Sequence, residues 1–580
     1  MKKILLLITL LCTSLSLSAG PIGEERARQI AEDFFAKHTT RAIASDIELE
    51  WAGDNISDKS AMGSKLDNSL LYIYNFGSNS GFVVVAGDSN AIPIIAYSFD
   101  TTLDVNNMAD ATADILDAWC RQVEDARKLA KPISGATTSS TRAEEEVLFE
   151  TALWDQIEPY NREAPLIDGQ RALTGCAATA MAIVCHYHRW PERGVGTTPA
   201  YFYEMFGNTY NIEENILGRE YDYDNMLMTY GEEYTQEQGD AVAALMKDIG
   251  TSILMNYHYS GSAANPSNML YALTTYFGYS KQMEYAYGDS YRTEEWVEMV
   301  RENVRKYGPT IFSGVGTSGG HGFVVDGFKA DYLHFNFGWS GIGNGYFLLP
   351  GIEYYQYQSM IMYLEPDKDG TTEYCDSIYL FCNSEDYKGI NSYQSGTYTT
   401  GAEFECMIGG FWSHCIIPFT GDINLVLCDK DGNIKEHLYN YHVENIEYMS
   451  EILPEERIKA TITQDIELGD SLRIYYKGEN SDTWKWMQGY DAAYTEVLVT
   501  ATAEEIAEGL HFGYDKSTRT LRLRNDHAMS LCIYDNDANE LIGTYNYKMN
   551  ETAEFSDMKS GTYRIEISLG DKPYVLTVML

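Results

Sequence analysis

The sequence predicts a chain of several domains, in which an α+β unit comes first, a central part of mixed periodicity follows, and β-sandwich modules come last. The length of 580 residues corresponds to roughly three to five domains at ~100–200 residues each. The 45 Tyr against 21 Phe favour strands that have one face toward water, because a Tyr ring carries a polar tip. Short alternating strands with turn signals fill the C-terminal part, which is typical of β-sandwiches.

The composition is that of a folded, acidic protein. Hydrophobic residues make up 44% and charged residues 22%, which fits neither a disordered chain nor a polytopic membrane protein. The net charge of −43 opposes binding to a phosphate backbone, so we expect no nucleic-acid partner.

Residues 1–19 have the pattern of an export signal. Lys2 and Lys3 form a positive start, an apolar run extends from Ile4 to Leu11, and small residues lead to Ala19. No later stretch approaches the ~20 apolar residues that a spanning helix needs. We therefore expect a secreted or cell-surface protein with no transmembrane segment in its mature chain.

The next unit, residues 20–146, is predicted to be α+β. Apolar residues recur every three or four positions in two segments, and two β runs flank a turn-forming segment. The predicted elements are a helix from Glu24 to His38, a hairpin from Leu70 to Phe76 and Phe82 to Ala86, and a helix from Ala109 to Ala130. The linker 132–146 is rich in Ser, Thr and Gly, and both a plain spacer and a processing site near Arg142 stay open.

The ten cysteines suggest disulfides in an exported chain, but they form no CxxC pairs and do not support a zinc site. A disulfide stays open among the six C-terminal ones, which are Cys375, Cys382, Cys406, Cys415, Cys428 and Cys532.

Cys176 has the setting of a catalytic thiol. A glycine precedes it and good helix formers follow it, so we expect a helix to begin at Cys176. The unpaired N–H groups and the positive dipole end at that point favour the thiolate, which is the nucleophilic form. A lone cysteine is more often an inert buried side chain, and Cys185 on the same helix is interpreted in that way.

His321 is the best candidate for the base that a thiol nucleophile requires. Glycines on both sides let the backbone approach closely, and the β run that follows fixes the imidazole on a rigid element. His321 also follows Cys176 at the ~130–150-residue separation of papain-like peptidases. His186 and His188 lie about three helical turns from the thiol, which is too far for contact.

Three further residues complete the predicted catalytic set. Asn336 can accept the second imidazole N–H of His321, and Trp339 can shield that hydrogen bond from water. Upstream, Gln156 offers an amide that can join the Cys176 backbone N–H as an oxyanion hole. Each residue alone is a weak signal, and the order Gln, Cys, His, Asn along the chain carries the prediction.

Several motifs between residues 148 and 366 follow one another in the order of a known family. They are Gln156 to Asn161, Thr174 to Ala180, Tyr187 to Pro191, Met255 to Tyr257, Ser260 to Ala263, Phe277 to Tyr279, Gly319 to Val324, and Asn336 to Trp339. On these motifs the chain resembles the streptopain family of secreted papain-like cysteine peptidases, in the form common among Bacteroidetes. The resemblance implies an α+β papain-like catalytic domain, with Cys176 as nucleophile and His321 as base. It likewise implies Gln156 as oxyanion donor and Asn336 as the orienting group.

One departure from the family pattern is Phe337, which stands where the family has a tryptophan between Asn336 and Gly338. The change implies an altered subsite on the primed side more than altered chemistry. The resemblance also implies that the α+β unit is an inhibitory prodomain, with an ordinary accessory domain as the alternative. The expected domains are the signal peptide 1–19, the prodomain 20–146, the catalytic domain 147–366, a β-sandwich module 367–503 and a β module 504–580, which is either sorting-related or an immunoglobulin-like spacer.

We therefore predict a secreted cysteine endopeptidase made as a zymogen, which acts on protein or peptide substrates and is inhibited by its own prodomain. Thioester chemistry at Cys176 requires no metal and no organic cofactor. The loops 259–264 and 315–320 are candidate walls of the substrate site. Two alternatives stay open: a surface binding protein on a degenerate peptidase scaffold, and a transferase that passes the acyl group to an amine.

Overall fold

We describe the fold from a computed structural model of the full chain. The described residues are 20–38, 47–57, 68–77, 81–129, 145–288, 291, 293–351 and 354–380, and from 382 to 579 all but short segments, the longest of which is 499–509. The predicted signal peptide and most of the predicted linker lie outside the described residues.

The N-terminal unit contains the two predicted helices and a meander of four strands. Glu24 and Glu25 lie in the first turn of the first helix, where negative charge complements the helix dipole, and Phe35 is buried on its inner face. The predicted hairpin strands pair antiparallel. The elements are α1 (Glu24–His38), β1 (Ile47–Gly53), β2 (Leu71–Phe76), β3 (Phe82–Ala86), β4 (Ile94–Ser98) and α2 (Asp110–Leu129).

The central part combines four helices with a large sheet and several two-residue to five-residue strands. Its longest strand, at Gly320–Lys329, is buried over most of its length, as expected for a strand covered on both faces. The elements are β5 (Glu146–Leu148), β6 (Leu166–Ile167), β7 (Gln170–Arg171), α3 (Cys176–His188), β8 (Thr197–Thr198), β9 (Tyr201–Met205), β10 (Asn208–Ile212), β11 (Asn215–Ile216), α4 (Gln236–Ser252), α5 (Ser267–Thr275), β12 (Glu284–Tyr287), α6 (Thr293–Tyr307), β13 (Thr310–Val315), β14 (Gly320–Lys329), β15 (Tyr332–Asn336), β16 (Gly345–Phe347) and β17 (Gln356–Met362).

One sheet runs through both of these units. Its strand order is β1-β2-β3-β4-β16-β15-β14-β13-β17-β12, and β5 also pairs with β14. The two units meet where β4 pairs antiparallel with β16, through Tyr97 with Tyr346 and Ala96 with Phe347. The N-terminal unit therefore satisfies the backbone groups of a strand that is otherwise an edge of the central sheet.

The two units also share a hydrophobic core. Leu116 and Trp119 of α2 belong to the same buried cluster as Phe323 and Phe335 of the central sheet. The indole N–H of Trp119 donates to the carbonyl of Leu348 at 2.9 Å, which satisfies the polar end of a buried ring. This shared core fixes the position of α2 on the central part.

The C-terminal region is β-rich and divides into several sheets. The described residues there contain the strands β18 (Ile378–Leu380), β19 (Cys382–Ser384), β20 (Tyr387–Lys388), β21 (Ile390–Ser392), β22 (Glu403–Ile408), β23 (Phe411–Ser413), β24 (Phe419–Cys428), β25 (Ile434–Ile446), β26 (Glu451–Ile452), β27 (Ile458–Thr461), β28 (Ser471–Gly478), β29 (Lys485–Trp486), β30 (Gln488–Gly489), β31 (Glu496–Leu498), β32 (Leu510–Asp515), β33 (Thr520–Asn525), β34 (Met529–Asp535), β35 (Glu540–Tyr547), β36 (Thr552–Phe555), β37 (Thr562–Leu569) and β38 (Lys572–Met579). The predicted order of an α+β unit, a mixed central part and a β-rich C-terminal region is confirmed.

Two further predictions concern this part of the chain and the membrane. Among the described residues, four of the six C-terminal cysteines are free thiols, namely Cys375, Cys415, Cys428 and Cys532. Among the residues that the structure describes, the helices are either too short or too polar to cross a membrane.

Candidate active site

Cys176 is the first residue of α3, as its sequence context predicts. Gly175 precedes it with φ at 87°, a conformation that L side chains rarely adopt, and a Cβ at this position would lie 2.7 Å from the Cε of Met255. The glycine therefore allows the sharp entry into the helix and the close approach of the neighbouring chain. This entry presents the thiol at the positive end of the helix dipole.

The surroundings of Cys176 favour its ionised form. Burial alone raises the pKa of the thiol, but a hydrogen bond with His321 and backbone hydrogen bonds from Gly322 and Ala177 outweigh burial. The net effect is a pKa below the ordinary value of a cysteine, as a nucleophile requires.

His321 stands opposite Cys176 on β14, which packs against α3. The antiparallel register pairs His321 with Gly314 of β13, so the imidazole is carried by a strand inside the sheet. Burial lowers the pKa of His321, yet hydrogen bonds with Asp114 and Cys176 and the charges of both raise it to about 9. At neutral pH the imidazole is therefore positively charged beside the thiol.

Asp114 of α2 is the residue that sequence reasoning missed. Its carboxylate lies 3.2 Å from the Nε2 of His321, and its side chain is fully buried. The backbone N–H of Ser318 donates to it at 3.0 Å, and the hydroxyls of Ser318 and Thr317 donate at 2.5 and 2.9 Å. Burial raises the pKa of Asp114, but the hydrogen bonds with His321, Ser318 and Thr317 outweigh burial. The net effect is a pKa below the ordinary value of an aspartate, so the carboxyl is ionised.

The loop that surrounds Asp114 coincides with the predicted loop 315–320. Gly316 approaches Asp114 so closely that a Cβ there would lie 2.3 Å from the Cγ of the carboxylate. Ser318 also lies 3.0 Å from the Nε2 of His321. Asp114 and Ser318 are 204 positions apart in sequence, so no local pattern signals this contact.

Asn336 lies at the end of β15 and is fully buried. Its amide donates to the hydroxyl of Thr151 at 2.9 Å and to the carbonyl of Ala152 at 3.0 Å, and its oxygen accepts from the N–H of Gly338. Among the described residues, no hydrogen bond joins Asn336 to His321. The sequence predicts a hydrogen bond from the second imidazole N–H of His321 to Asn336, but the Nε2 of His321 faces Asp114 and Ser318.

Gln156 and Trp339 line the same cavity as Cys176 and His321. The cavity has a volume of about 560 Å³, and its wall includes residues 260–264 from one predicted loop together with Val315 and Gly320 from the other. Gln156 is anchored through its carbonyl, which accepts from the N–H of Thr174 at 3.2 Å. The structure thus brings the amide-bearing segment and the thiol-bearing helix to one cavity.

The remaining polar residues of α3 lie away from this cavity. Cys185 is buried, and burial raises the pKa of its thiol to about 12, which is typical of an inert cysteine. His186 contacts the carbonyl of Met226, and His188 contacts the hydroxyl of Tyr279 at 3.1 Å.

Comparisons with known proteins identify two families and several relatives. Residues 154–347 match the profile of the Peptidase C10 family, and residues 19–123 match the Spi protease inhibitor family. Streptopain from Streptococcus pyogenes is 29% identical over 352 residues, which cover 57% of this chain and 85% of streptopain. The thiol protease/hemagglutinin PrtT of Porphyromonas gingivalis is 30% identical over 60% of this chain and 41% of its own length.

Two solved structures from Prevotella intermedia are similar as well. A fragment of prointerpain A is 29% identical, with 53% of this chain and 96% of the fragment covered and a TM-score of 0.44. Active interpain A is 31% identical, with 39% of this chain and 96% of that chain covered and a TM-score of 0.33.

Proposed function

Because the chain belongs to the Peptidase C10 family and is a streptopain-like cysteine peptidase with an inhibitory prodomain, we propose that Cys176 is its nucleophile. The position of Cys176 at the first residue of α3, with its thiol hydrogen-bonded to His321, carries the proposal. In the first step the thiolate attacks the carbonyl carbon of a peptide bond and forms a tetrahedral intermediate.

Gln156 and the backbone N–H of Cys176 are proposed to stabilise the oxyanion of that intermediate. Both groups border the cavity, and an oxyanion hole requires donors that are already in place when the charge develops. The intermediate then collapses to a thioester as His321 transfers its proton to the leaving amine. Water, deprotonated by His321, hydrolyses the thioester and regenerates the thiolate.

Asp114 gives the prodomain a direct means of inhibition. Its carboxylate pairs with the imidazolium of His321, while Asp110 of the same helix lines the substrate cavity. A carboxylate that stabilises the proton of His321 makes the imidazolium a weaker acid toward the leaving amine, and α2 itself occupies one side of the cavity. We propose that activation requires α2 to leave the cavity.

Once the prodomain has left, Asn336 and Trp339 are proposed to orient His321 and to shield the bond that orients it, as the sequence suggested. We propose that Asn336 takes the Nε2 of His321 once Asp114 has gone, and that Trp339 shields this bond at the cavity edge. The observation that supports this step is the register of β14 and β15, in which Val324, three residues after His321, pairs with Asn336.

We further propose a secreted or cell-surface endopeptidase of protein or peptide substrates. The N-terminal charge and hydropathy pattern supports export, and linker cleavage between 132 and 146 would separate the prodomain 20–146 from the catalytic domain 147–366. The β modules 367–503 and 504–580 complete the proposed organisation.

Labelling with an epoxide-type thiol inhibitor tests the nucleophile. We expect slow labelling of the intact chain, rapid labelling after limited proteolysis of the linker, and an adduct at Cys176 by mass spectrometry. Cys176→Ala should fold normally, as judged by thermal unfolding, and lose cleavage of casein by at least about 10⁴-fold. Cys185→Ala is the matched control and should keep activity. Casein cleavage by Cys176→Ala at the wild-type rate would refute the mechanism.

A further inference from the structure

The first C-terminal module, residues 367–503, packs behind one wall of the cavity at Cys176. This wall, called the cleft wall below, consists of Pro266 and Ser267 at the start of α5 and of Tyr285 and Tyr287 in β12, all of which line the cavity. The described residues that line the cavity come from the prodomain and from the central part, which holds Cys176 and His321. The module therefore contacts the cleft wall from the side that faces away from substrate.

Hydrogen bonds from tyrosine hydroxyls join the module to the cleft wall. Tyr448 of the module donates to the carbonyl of Ser267, and Tyr379 donates to the carbonyl of Tyr285. Within the wall, Tyr285 donates in turn to the carbonyl of Pro266. Each bond fixes a backbone carbonyl, so the module determines the position of the main chain from which the wall is built.

The interface around these bonds is aromatic. The ring centroids of Tyr287 and Tyr379 are 5.0 Å apart in an edge-to-face arrangement, and those of Tyr271 and Tyr448 are 5.5 Å apart. His414 of the module lies between them, with its Nδ1 3.3 Å from the hydroxyl of Tyr287.

Burial explains the state of His414 and the stiffness of the interface. His414 is 5% exposed, and burial lowers its pKa to about 3, so it contributes a neutral imidazole. Tyr285, Tyr287 and Tyr379 are 4%, 6% and 4% exposed. Side chains that are buried and hydrogen-bonded together have little freedom to adopt other rotamers.

We propose that the first C-terminal module is a structural part of the substrate-binding cleft, in which Tyr379 and Tyr448 act as positioning residues for the cleft wall. This inference rests on the proposed function, because it assumes that peptides bind along the cavity at Cys176. The Peptidase C10 match ends at residue 347, so the contribution comes from outside the matched region.

The proposal separates two properties of the enzyme. An extended peptide depends on the cleft wall for its binding, whereas a small alkylating reagent depends only on the ionisation and exposure of Cys176. Loss of a contact behind the wall should therefore weaken peptide binding and leave thiol reactivity unchanged.

Tyr448→Phe removes the hydroxyl and keeps the ring beside Tyr271. In the full chain after removal of the prodomain by an added protease, we expect KM for an extended peptide to rise about 3- to 10-fold, the usual effect of one lost hydrogen bond, with kcat nearly unchanged. The rate of Cys176 alkylation by iodoacetamide should equal that of the wild type. Tyr379→Phe should shift KM in the same direction, because it frees the carbonyl of Tyr285.

Tyr475→Phe is the matched control. Tyr475 also donates its hydroxyl to a backbone carbonyl, that of Gly432 at 2.9 Å, but this bond lies inside the module. The KM of Tyr475→Phe should equal that of the wild type. The proposal is overturned if Tyr448→Phe and Tyr379→Phe both keep the KM of the control, or if they slow alkylation as much as peptide cleavage. A wild-type chain that neither cleaves peptide nor reacts at Cys176 would refute the proposed function itself.

Discussion

The prodomain and the first C-terminal module both pack against the catalytic part, yet they reach the cavity at Cys176 by opposite means. The prodomain extends the central sheet through β4 and places the Asp114 carboxylate beside the imidazole of His321. The module stays outside the cavity and hydrogen-bonds to carbonyls of the cleft wall. One region thus contacts the proposed base, and the other contacts the main chain of the cleft wall.

The prodomain contact is between charged groups, whereas the module contacts are between neutral groups. An ionised carboxylate beside a histidine changes the proton affinity of that histidine, so it can stop the chemistry from a single position. Neutral tyrosine hydroxyls on carbonyls change no ionisation state and only fix geometry. A removable inhibitor suits the first kind of contact, and a permanent part of the binding surface suits the second.

After loss of the Cys176 thiol itself, the largest expected effect belongs to Gln156, which lies in the central part between the two flanking regions. In the prodomain-free enzyme, Gln156→Ala should lower kcat/KM about 10²- to 10³-fold, because one oxyanion donor is lost. Alkylation by iodoacetamide forms no oxyanion and should be unchanged. Gln170→Ala, in the exposed strand β7, is the control with wild-type activity. A loss below about tenfold would exclude Gln156 from the oxyanion hole.

The next largest effect tests the prodomain contact. Asp114→Asn keeps the size of the side chain and removes its charge, and hydrogen bonds between charged groups are worth about 1.5–3 kcal/mol. Loss of this bond weakens the closed state in which α2 lies against the cavity. We therefore expect Cys176 in the intact chain to react with the epoxide about 10- to 100-fold faster. The initial labelling rate before any linker cleavage measures this effect.

The control for Asp114 comes from the same helix. Asp125 accepts from the hydroxyl of Tyr354 at 3.0 Å and does not touch His321, so Asp125→Asn should label as slowly as the wild type. Equal rates for Asp114→Asn and the wild type would mean that bulk occlusion by α2, and not the carboxylate, causes inhibition.

The smallest expected effect is a pH dependence of the contact between the prodomain and His321. The tyrosine contacts of the C-terminal module should show no such dependence. The pKa of His321 is raised to about 9 by Asp114 and Cys176, so its charge supports the closed prodomain fully below the ordinary histidine pKa. This support is lost as the pH rises through about 9. Hydrogen-exchange protection of α2 in the intact chain, corrected for intrinsic rates, should therefore fall between neutral pH and pH above about 9. Asp114→Asn should show a smaller fall, and protection that is independent of pH in the wild type would contradict the ion pair.

Local patterns predicted those parts of the fold that depend on local spacing. The helix Glu24–His38 has the predicted bounds, and the helix Asp110–Leu129 differs from its prediction by one residue at each end. Cys176 begins its helix because glycine precedes it and helix formers follow it. Flanking glycines, the β run that follows and the separation from Cys176 singled out His321, and the structure brings it to Cys176.

Contacts between distant segments escaped prediction. Nothing in the sequence around Asp114 distinguishes it from the other carboxylates of α2, and its partners come from a loop two hundred positions away. The same holds for Tyr448, one of 45 tyrosines in the chain. The Asn336 amide was assigned to His321 by order, whereas packing places it on Thr151 and Ala152.

The amino-acid sequence by itself determined the helices α1, α2 and α3, the candidate thiol and imidazole, and the division into an α+β start, a central part and a β-rich end. Periodicity and the reactivity of single side chains are local properties, which the order of residues specifies directly. Only the tertiary structure decided which carboxylate holds His321 and which tyrosines support the cleft wall. Those choices depend on the burial and geometry of groups that folding brings together from opposite ends of the chain.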